Sequence, residues 1–238
     1  MSSIAIITAR GGSKRIPGKN KKDFLGKPIL TYSIEAALKS GVFDEVMVST
    51  DDEEIADIAR KAGASVPFYR SAETANDFAT TAQVLNEVLE EYAKQGREFE
   101  YLCCIYPTAP FITAEKLKEA MELLKEPGTD SVMPVVAFSF PPLRGMYIRD
   151  EKLEYCYPEN ALKRSQDLET MYHDCGQFYC INANRFMETG KLVMENTKAI
   201  IVPEREVQDI DTPEDWMIAE MKYRLMNENK LWGEQIED

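Results

Sequence analysis

Ile4–Asn20 reads IAIITARGGSKRIPGKN, an apolar run, a glycine-studded turn and a crowd of cations. A short run rich in isoleucine and closed by a Gly-Gly turn predicts a buried strand. The residues after the strand give it a setting. Residues 10–22 hold six cations (Arg10, Lys14, Arg15, Lys19, Lys21 and Lys22) and no acid. The composition of the whole chain, 28 Lys plus Arg in 238 residues, would place roughly one or two there. Like charges at this density repel one another and call for an anion, although a solvated basic turn has the same composition. Gly11, Gly12 and Gly18 let the backbone approach that anion and turn its N–H groups inward, as polyphosphate cradles do.

Two familiar phosphate motifs are excluded by spacing. Five residues separate Gly12 from Gly18 where a Walker loop has four, and Asn20 follows Lys19 where that loop needs Ser or Thr. The dinucleotide pattern G-x-G-x-x-G does not occur. A strand, a basic loop and a helix from about Pro28 remain, the layout in which open α/β sheets bind ligands beyond the carboxyl ends of their strands.

Outward from this stretch, apolar β-rich runs at 3–8, 45–50, 64–69, 100–106, 130–137 and 198–203 alternate with helical periodicity near 28–40, 52–62, 78–95, 114–126 and 212–226. That rhythm predicts an α/β fold with a mostly parallel, Rossmann-like sheet flanked by helices. An excursion of strands and turns, rich in aromatics and prolines, is expected at about 138–181. The 238 residues suffice for one well-buried domain, so 1–238 reads as a single domain with that excursion. Only the tail after Asn227 looks loosely held.

A net charge of −13 argues against nucleic-acid or anionic-membrane partners, either of which needs a broad basic face. The apolar runs are too short to span a bilayer and the first residues lack the features of a signal peptide, so a cytoplasmic location is expected. The five cysteines form no C-x-x-C pair and read as reduced core residues.

A second constellation is Asp209-Ile210-Asp211-Thr212-Pro213. In an extended segment Asp209 and Asp211 share a face about 6.6 Å apart. Two such carboxylates suit Mg²⁺, which takes one or two carboxylates together with phosphate oxygens and water. Thr212 to Asp215 also reads as a helix start, with a cap, a proline at the first position and acids near the dipole; that reading does not require Asp209. The single histidine, His173, leaves no obvious zinc site. Asp51 to Glu54 follow a strand and open a helix, and capping preferences account for them.

Several segments carry a family resemblance. The loop ARGGSKRIPGKN closely resembles that of the cytidylyltransferases that activate acidic nine-carbon sugars, the CMP-sialic acid synthetase (acylneuraminate cytidylyltransferase) family. VSTDDEEIADIARKAGA at 48–64, FYRSAETANDFATT at 68–81, PTAPF at 107–111 and VQDIDTPEDW at 207–216 come after it in the same order. RSQDLETMYHDCGQFY at 164–179 looks most like the branch that uses pseudaminic acid. The resemblance implies a Mg²⁺-dependent homodimer that joins CMP from CTP to the anomeric hydroxyl of a nonulosonic acid and releases pyrophosphate.

The same resemblance implies nucleotide contacts at Ala9, Arg10, Gly11, Gly12, Ser13, Lys19, Asn20, Arg70 and Thr81. It implies metal binding by Asp209 and Asp211; with a triphosphate against the loop, Arg10, Lys14 and Lys19 take catalytic roles by offsetting its charge, and Asp211 is the nearest group to accept the hydroxyl proton. The excursion would carry sugar contacts and much of the dimer interface, with Tyr106, Arg144, Arg164, His173 and Gln177 at the sugar. Plainer readings stand beside these: a surface arginine at 70, a helix threonine at 81, interface or surface charges at 144 and 164, a pocket wall at His173.

Where the sialic acid enzymes resemble Q-P-T-S-P-L-R, this chain has Tyr106-Pro107-Thr108-Ala109-Pro110-Phe111-Ile112; where they resemble R-P-N-G, it has His173-Asp174-Cys175-Gly176. Each sialic acid hydroxyl left unpaired would cost about 1–3 kcal/mol, which points to pseudaminic acid, a dideoxy sugar with two acylamino groups. N-acetylneuraminate or legionaminate is the alternative acceptor. An eight-carbon ulosonic acid on the same fold, and a non-catalytic nucleotide-binding module, are the more distant readings.

Overall fold

The computed structural model describes residues 2–233. In chain order the elements are β1 (Ser3–Thr8), β2 (Asp23–Phe24), β3 (Lys27–Pro28), α1 (Leu30–Ser40), β4 (Glu45–Ser49), α2 (Glu53–Lys61), α3 (Ala72–Ala75), α4 (Thr81–Lys94), β5 (Tyr101–Ile105), α5 (Ala114–Leu124) and β6 (Ser131–Ala137). The chain continues through β7 (Met146–Arg149), β8 (Lys152–Tyr155), β9 (Tyr172–Asp174), β10 (Phe178–Asn182), α6 (Ala183–Thr189), β11 (Thr197–Ile201) and α7 (Pro213–Gly233).

Among the described residues the main sheet runs β11-β6-β10-β5-β1-β4, with β9 added on β6. β1 pairs in parallel with β4 and β5, and β11 in parallel with β6; β10 is antiparallel to both β5 and β6. The strands read as unbroken apolar runs because both faces are covered. In β1, Ala5 and Ile7 face a cluster with Leu30, Ile34, Ile55 and Leu117, whereas Ile4 and Ile6 face one with Leu85, Val88, Tyr92 and Phe186. The two-residue period of a strand sorts them to opposite sides.

The predicted strand at 64–69 is not formed. Only Ser65 pairs, through bonds with Val46 and Val48 on the β4 edge. Pro67, two residues on, has no N–H to continue a ladder. The excursion is also shorter than expected at its C-terminal end. The β7–β8 hairpin and β9 belong to it, but Phe178–Asn182 enters the sheet centre as β10. The short helix α6 was not foreseen; Asn182 caps it by accepting from the Arg185 N–H at 3.2 Å, and Gly190 closes it at φ 64°. α7 carries the last helix on to Gly233, and the rest of the expected loose tail lies outside the described residues.

A third, smaller cluster decides where the chemistry sits. Ile16 of the basic loop, Phe24, Ile29 and Tyr32, Phe111, and Ile210, Trp216 and Ala219 are buried together. The Phe24 ring meets Tyr32 at 5.4 Å and Trp216 at 5.5 Å, both edge-on, the geometry aromatic quadrupoles favour.

Candidate active site

A cleft of about 580 Å³ opens beyond the carboxyl ends of β1 and β5. Its walls include Arg10, Gly12, Ser13, Lys14, Arg15, Lys19 and Asn20 from the basic loop, and Arg70, Asp77, Thr81 and Tyr106 from other segments. Asp209 and Asp211 also line it. The basic loop and the acidic pair therefore share one cavity.

Local chemistry holds the loop. The Ala9 N–H donates to the Ser49 carbonyl at 3.0 Å, extending β1 by one residue. The Gly11 N–H donates to Asp51 at 2.8 Å, and a Cβ at Gly11 would lie 2.8 Å from the Asp52 Cβ, so a larger residue does not fit. At Gly12 a Cβ would meet nothing within 4 Å; that glycine borders open cleft. Asn20 is buried and its amide donates to the Arg10 carbonyl at 2.8 Å, tying the two limbs of the loop together.

The six cations are not unopposed, as the local sequence suggested; tertiary structure brings acids to them. Arg10 pairs with Asp77 at 2.5 Å, and Lys14 pairs with the same carboxylate. Arg15 reaches Asp211 at 2.8 Å. Lys19 donates to the Ile210 carbonyl at 2.7 Å and stands 3.6 Å from Asp211. Lys21 pairs with Glu54 at 2.5 Å and Asp52 at 3.3 Å, and the Glu54 bond raises its pKa most. Lys22 lies over the Trp216 ring at 4.6 Å. Asp51, set aside in the sequence as a capping acid, thus braces Gly11, while Asp52 does cap α2, accepting from the Ile55 N–H at 2.9 Å.

Arg70 is buried, donating to the Ser49 hydroxyl at 3.1 Å and carbonyl at 2.8 Å. Loss of solvent lowers its pKa, and the nearby carboxylates of Asp51 and Glu87 oppose that. Thr81 and Tyr106 hydroxyls meet at 3.1 Å, and the Tyr106 ring lies edge-on to Tyr179 at 5.8 Å. Tyr179 in turn donates to Asp174.

Among the described residues the stretch 204–211 leading into the acidic pair belongs to no strand, and side chains satisfy carbonyls just before it. Lys222 donates to Val207 at 2.7 Å and to Glu204 at 3.3 Å, and Gln177 donates to Glu206 at 2.7 Å. Thr212 and Asp215 form the helix start read from sequence, exchanging bonds of 2.7 Å and 3.2 Å. Asp209 has its pKa raised, first because the cleft walls crowd its carboxylate and next by the charge of Asp211.

The residues assigned to the sugar divide. Tyr106 lines the cleft. His173 lines a side hollow with Asp174, Cys175, Gly176, Val207 and Asp209, which meets the main cleft at Gly176 and Asp209. Gln177 is buried beneath the cleft, its amide turned to Glu206. Arg144 and Arg164 lie on the excursion outside the cleft walls, Arg144 donating to Ser165 at 3.4 Å and Arg164 to Asp167 at 2.8 Å and 2.9 Å. Arg15, read from sequence only as one of the loop cations, and Asp77, not singled out at all, both line the cleft; Asp77 is an acid in a polar loop just before an N-capped helix, and that context alone names no role.

Comparison with known proteins agrees with this geometry. The chain is 39% identical over 230 residues to the pseudaminic acid cytidylyltransferase of Campylobacter jejuni, covering 96% of this chain and 99% of that one. It is 35% identical to the CMP-N,N'-diacetyllegionaminic acid synthase of Legionella pneumophila, with 96% and 99% covered. Among solved structures, a CMP:2-keto-3-deoxy-manno-octonic acid synthetase complexed with CTP superposes with a TM-score of 0.67 at 20% identity, covering 96% of this chain and all of that one. The fold is therefore that of an α/β nucleotidyltransferase. The cytidylyltransferase profile matches residues 4–198, from β1 into β11, and on that match together with near-full-length identity this chain belongs to the cytidylyltransferase family.

Proposed function

We propose that this nucleotidyltransferase transfers CMP from CTP to the anomeric hydroxyl of a nonulosonic acid, pseudaminic acid above all. The observation that carries the reading is the shared cleft, lined by both the basic loop and the pair Asp209 and Asp211. The triphosphate lies against the loop, where Arg10, Lys14 and Lys19 offset its charge and the N–H groups of Gly12 and Ser13 orient it. The anomeric oxygen bonds to the α-phosphorus as the bond to the bridging oxygen breaks, and pyrophosphate leaves in line. Asp211 accepts the hydroxyl proton. In this reading Thr81 and Arg70 contact the nucleotide and Tyr106 the sugar, all three being cleft-lining residues.

Asp209 and Asp211 fit Mg²⁺. Crowding by the cleft walls and then the charge of Asp211 raise the Asp209 pKa, and a bound cation would relieve both by favouring the ionised carboxylate. Among the described residues no cluster of three or more ligating side chains occurs, and two carboxylates are what this ion takes when phosphate oxygens and water complete its shell. Bound there, it would supply Lewis-acid polarisation and neutralise developing phosphate charge.

The acceptor is argued from this chain's departures and its relatives. Tyr106 stands where the sialic acid enzymes resemble glutamine, and the C. jejuni relative is named for pseudaminic acid. A homodimer is part of the proposal: on the excursion and its hairpin, Phe140, Ile148, Leu153 and Leu162 are 76%, 77%, 69% and 99% exposed, large apolar side chains that a second copy would cover. Arg144 and Arg164 belong to the sugar site only through that assembly. Among the described residues no helix is long and apolar enough to cross a membrane, and a cytoplasmic location is proposed with the rest.

Pyrophosphate release tests the reading, with CTP, UTP and ATP each offered against pseudaminic, legionaminic and N-acetylneuraminic acids. CTP with pseudaminic acid should give the highest kcat/KM. A higher value with another sugar changes the acceptor. Release with none of them, alongside measurable CTP binding, would leave a nucleotide-binding module.

A further inference from the structure

Asp77 is bonded in a way the transfer reaction does not use. Its carboxylate takes both Arg10, at 2.5 Å, and Lys14, the cations that flank the Gly-Gly turn. It comes from outside the loop. Asn76 Oδ1 accepts from the Phe78 and Ala79 N–H groups at 2.8 Å and 3.0 Å, a tight turn that projects Asp77 into the cleft. The base of this segment is fixed to α4, where Glu87 accepts from the Ser71 N–H at 2.7 Å. The tip is not packed: Phe78, next to Asp77, is 93% exposed. Polar contacts hold Asp77 in place, and its release uncovers no core.

A carboxylate on Arg10 and Lys14 makes the charge-assisted bonds that phosphate oxygens would make there. Both cannot be made fully at once. A ligand that needs those cations binds with an affinity reduced by the fraction of molecules in which they are free. We infer that Asp77 is an internal competitor for the triphosphate, holding Arg10 and Lys14 in the nucleotide-free enzyme and returning to them as pyrophosphate departs. Asp211 opposes Arg15 and Lys19 in a similar way but already has a place in the proposed reaction; Asp77 has none. The assignment of a triphosphate rests on the cytidylyltransfer reading, whereas the competition itself concerns any polyphosphate.

Exposed pairs of this kind are weak, so the effect is about three- to tenfold. Titration calorimetry of the full chain with inorganic pyrophosphate, and separately with CTP, compares wild type with Asp77→Asn and Asp77→Ala. Both variants should bind pyrophosphate about three- to tenfold more tightly, and in turnover the CTP KM should fall while kcat falls or stays level because pyrophosphate leaves more slowly. Misfolding does not produce a gain of affinity. Glu119→Gln, an exposed acid on α5, controls for net charge. Weaker or unchanged pyrophosphate binding in both Asp77 variants, or equal tightening by Glu119→Gln, overturns the inference. Tighter pyrophosphate binding in variants of a protein that releases none from CTP with any sugar would keep the competitor and overturn the proposed reaction instead.

Discussion

Ile16 and Ile210 are buried in one apolar cluster beneath the cleft, 3% and 1% exposed. Ile16 follows the loop cation Arg15 and precedes Lys19 by three positions, and Ile210 separates Asp209 from Asp211. Two segments from opposite ends of the chain thus rest on a common floor of Phe24, Tyr32, Phe111 and Trp216. Lys19, donating to the Ile210 carbonyl at 2.7 Å, adds a polar tie above it. Packing sets the distance between the phosphate flank and the acidic flank.

Ile210→Ala should therefore lower stability by about 2–4 kcal/mol, the range for emptying a large aliphatic site that relaxes only in part. CTP affinity should fall with it. Urea unfolding and CTP titration on the same sample check this; an unchanged unfolding midpoint would separate the acidic segment from the floor.

Lys19→Ala removes both a phosphate partner and the tie to Ile210. The kcat/KM for CTP should fall by about 10²–10³, the loss expected when one preorganised charge-stabilising donor goes. Pyrophosphate release at the wild-type rate would take the loop out of the reaction.

For Asp209→Asn the expected result is split. Asp209 is exposed at the cleft, yet partial crowding of its carboxylate and then the charge of Asp211 raise its folded-state pKa, so the folded protein binds more protons than the unfolded chain and loses stability as pH rises through that pKa. The amide escapes this penalty. The variant should melt higher than wild type at neutral pH without metal, and the gain should vanish in acid, below the unfolded pKa. Its activity should show a weakened magnesium dependence. An activation curve that superposes on wild type counts against Asp209 as a ligand.

Tyr106→Phe deletes the hydroxyl that meets Thr81 while keeping the ring on Tyr179. One neutral hydrogen bond contributes about 0.5–1.5 kcal/mol, so kcat/KM should drop by no more than roughly tenfold. A loss of several hundredfold would make the hydroxyl a participant in the reaction.

Much of the fold could be read from the chain. Five of the six predicted strands and the long helices sit where apolar periodicity placed them, because continuous apolar runs and capped amphipathic stretches are local signals. The run at 64–69 failed where Pro67 removed a donor, and β10 went unrecognised as a central strand because strand order is a non-local property. The basic loop and the acidic pair were visible as unusual local clusters. Their counter-ions were not.

What the amino-acid order determined alone is the alternation of strand and helix, the glycine-rich cationic turn and the spaced acids, since each depends on neighbours a few positions apart. Tertiary structure decided that Asp77 would meet Arg10 and Lys14, that Asp211 would meet Arg15, and that Gln177 would face Glu206 and not open cleft. Such pairings depend on which apolar faces pack together, and burial carries no directional signal that a linear chain displays.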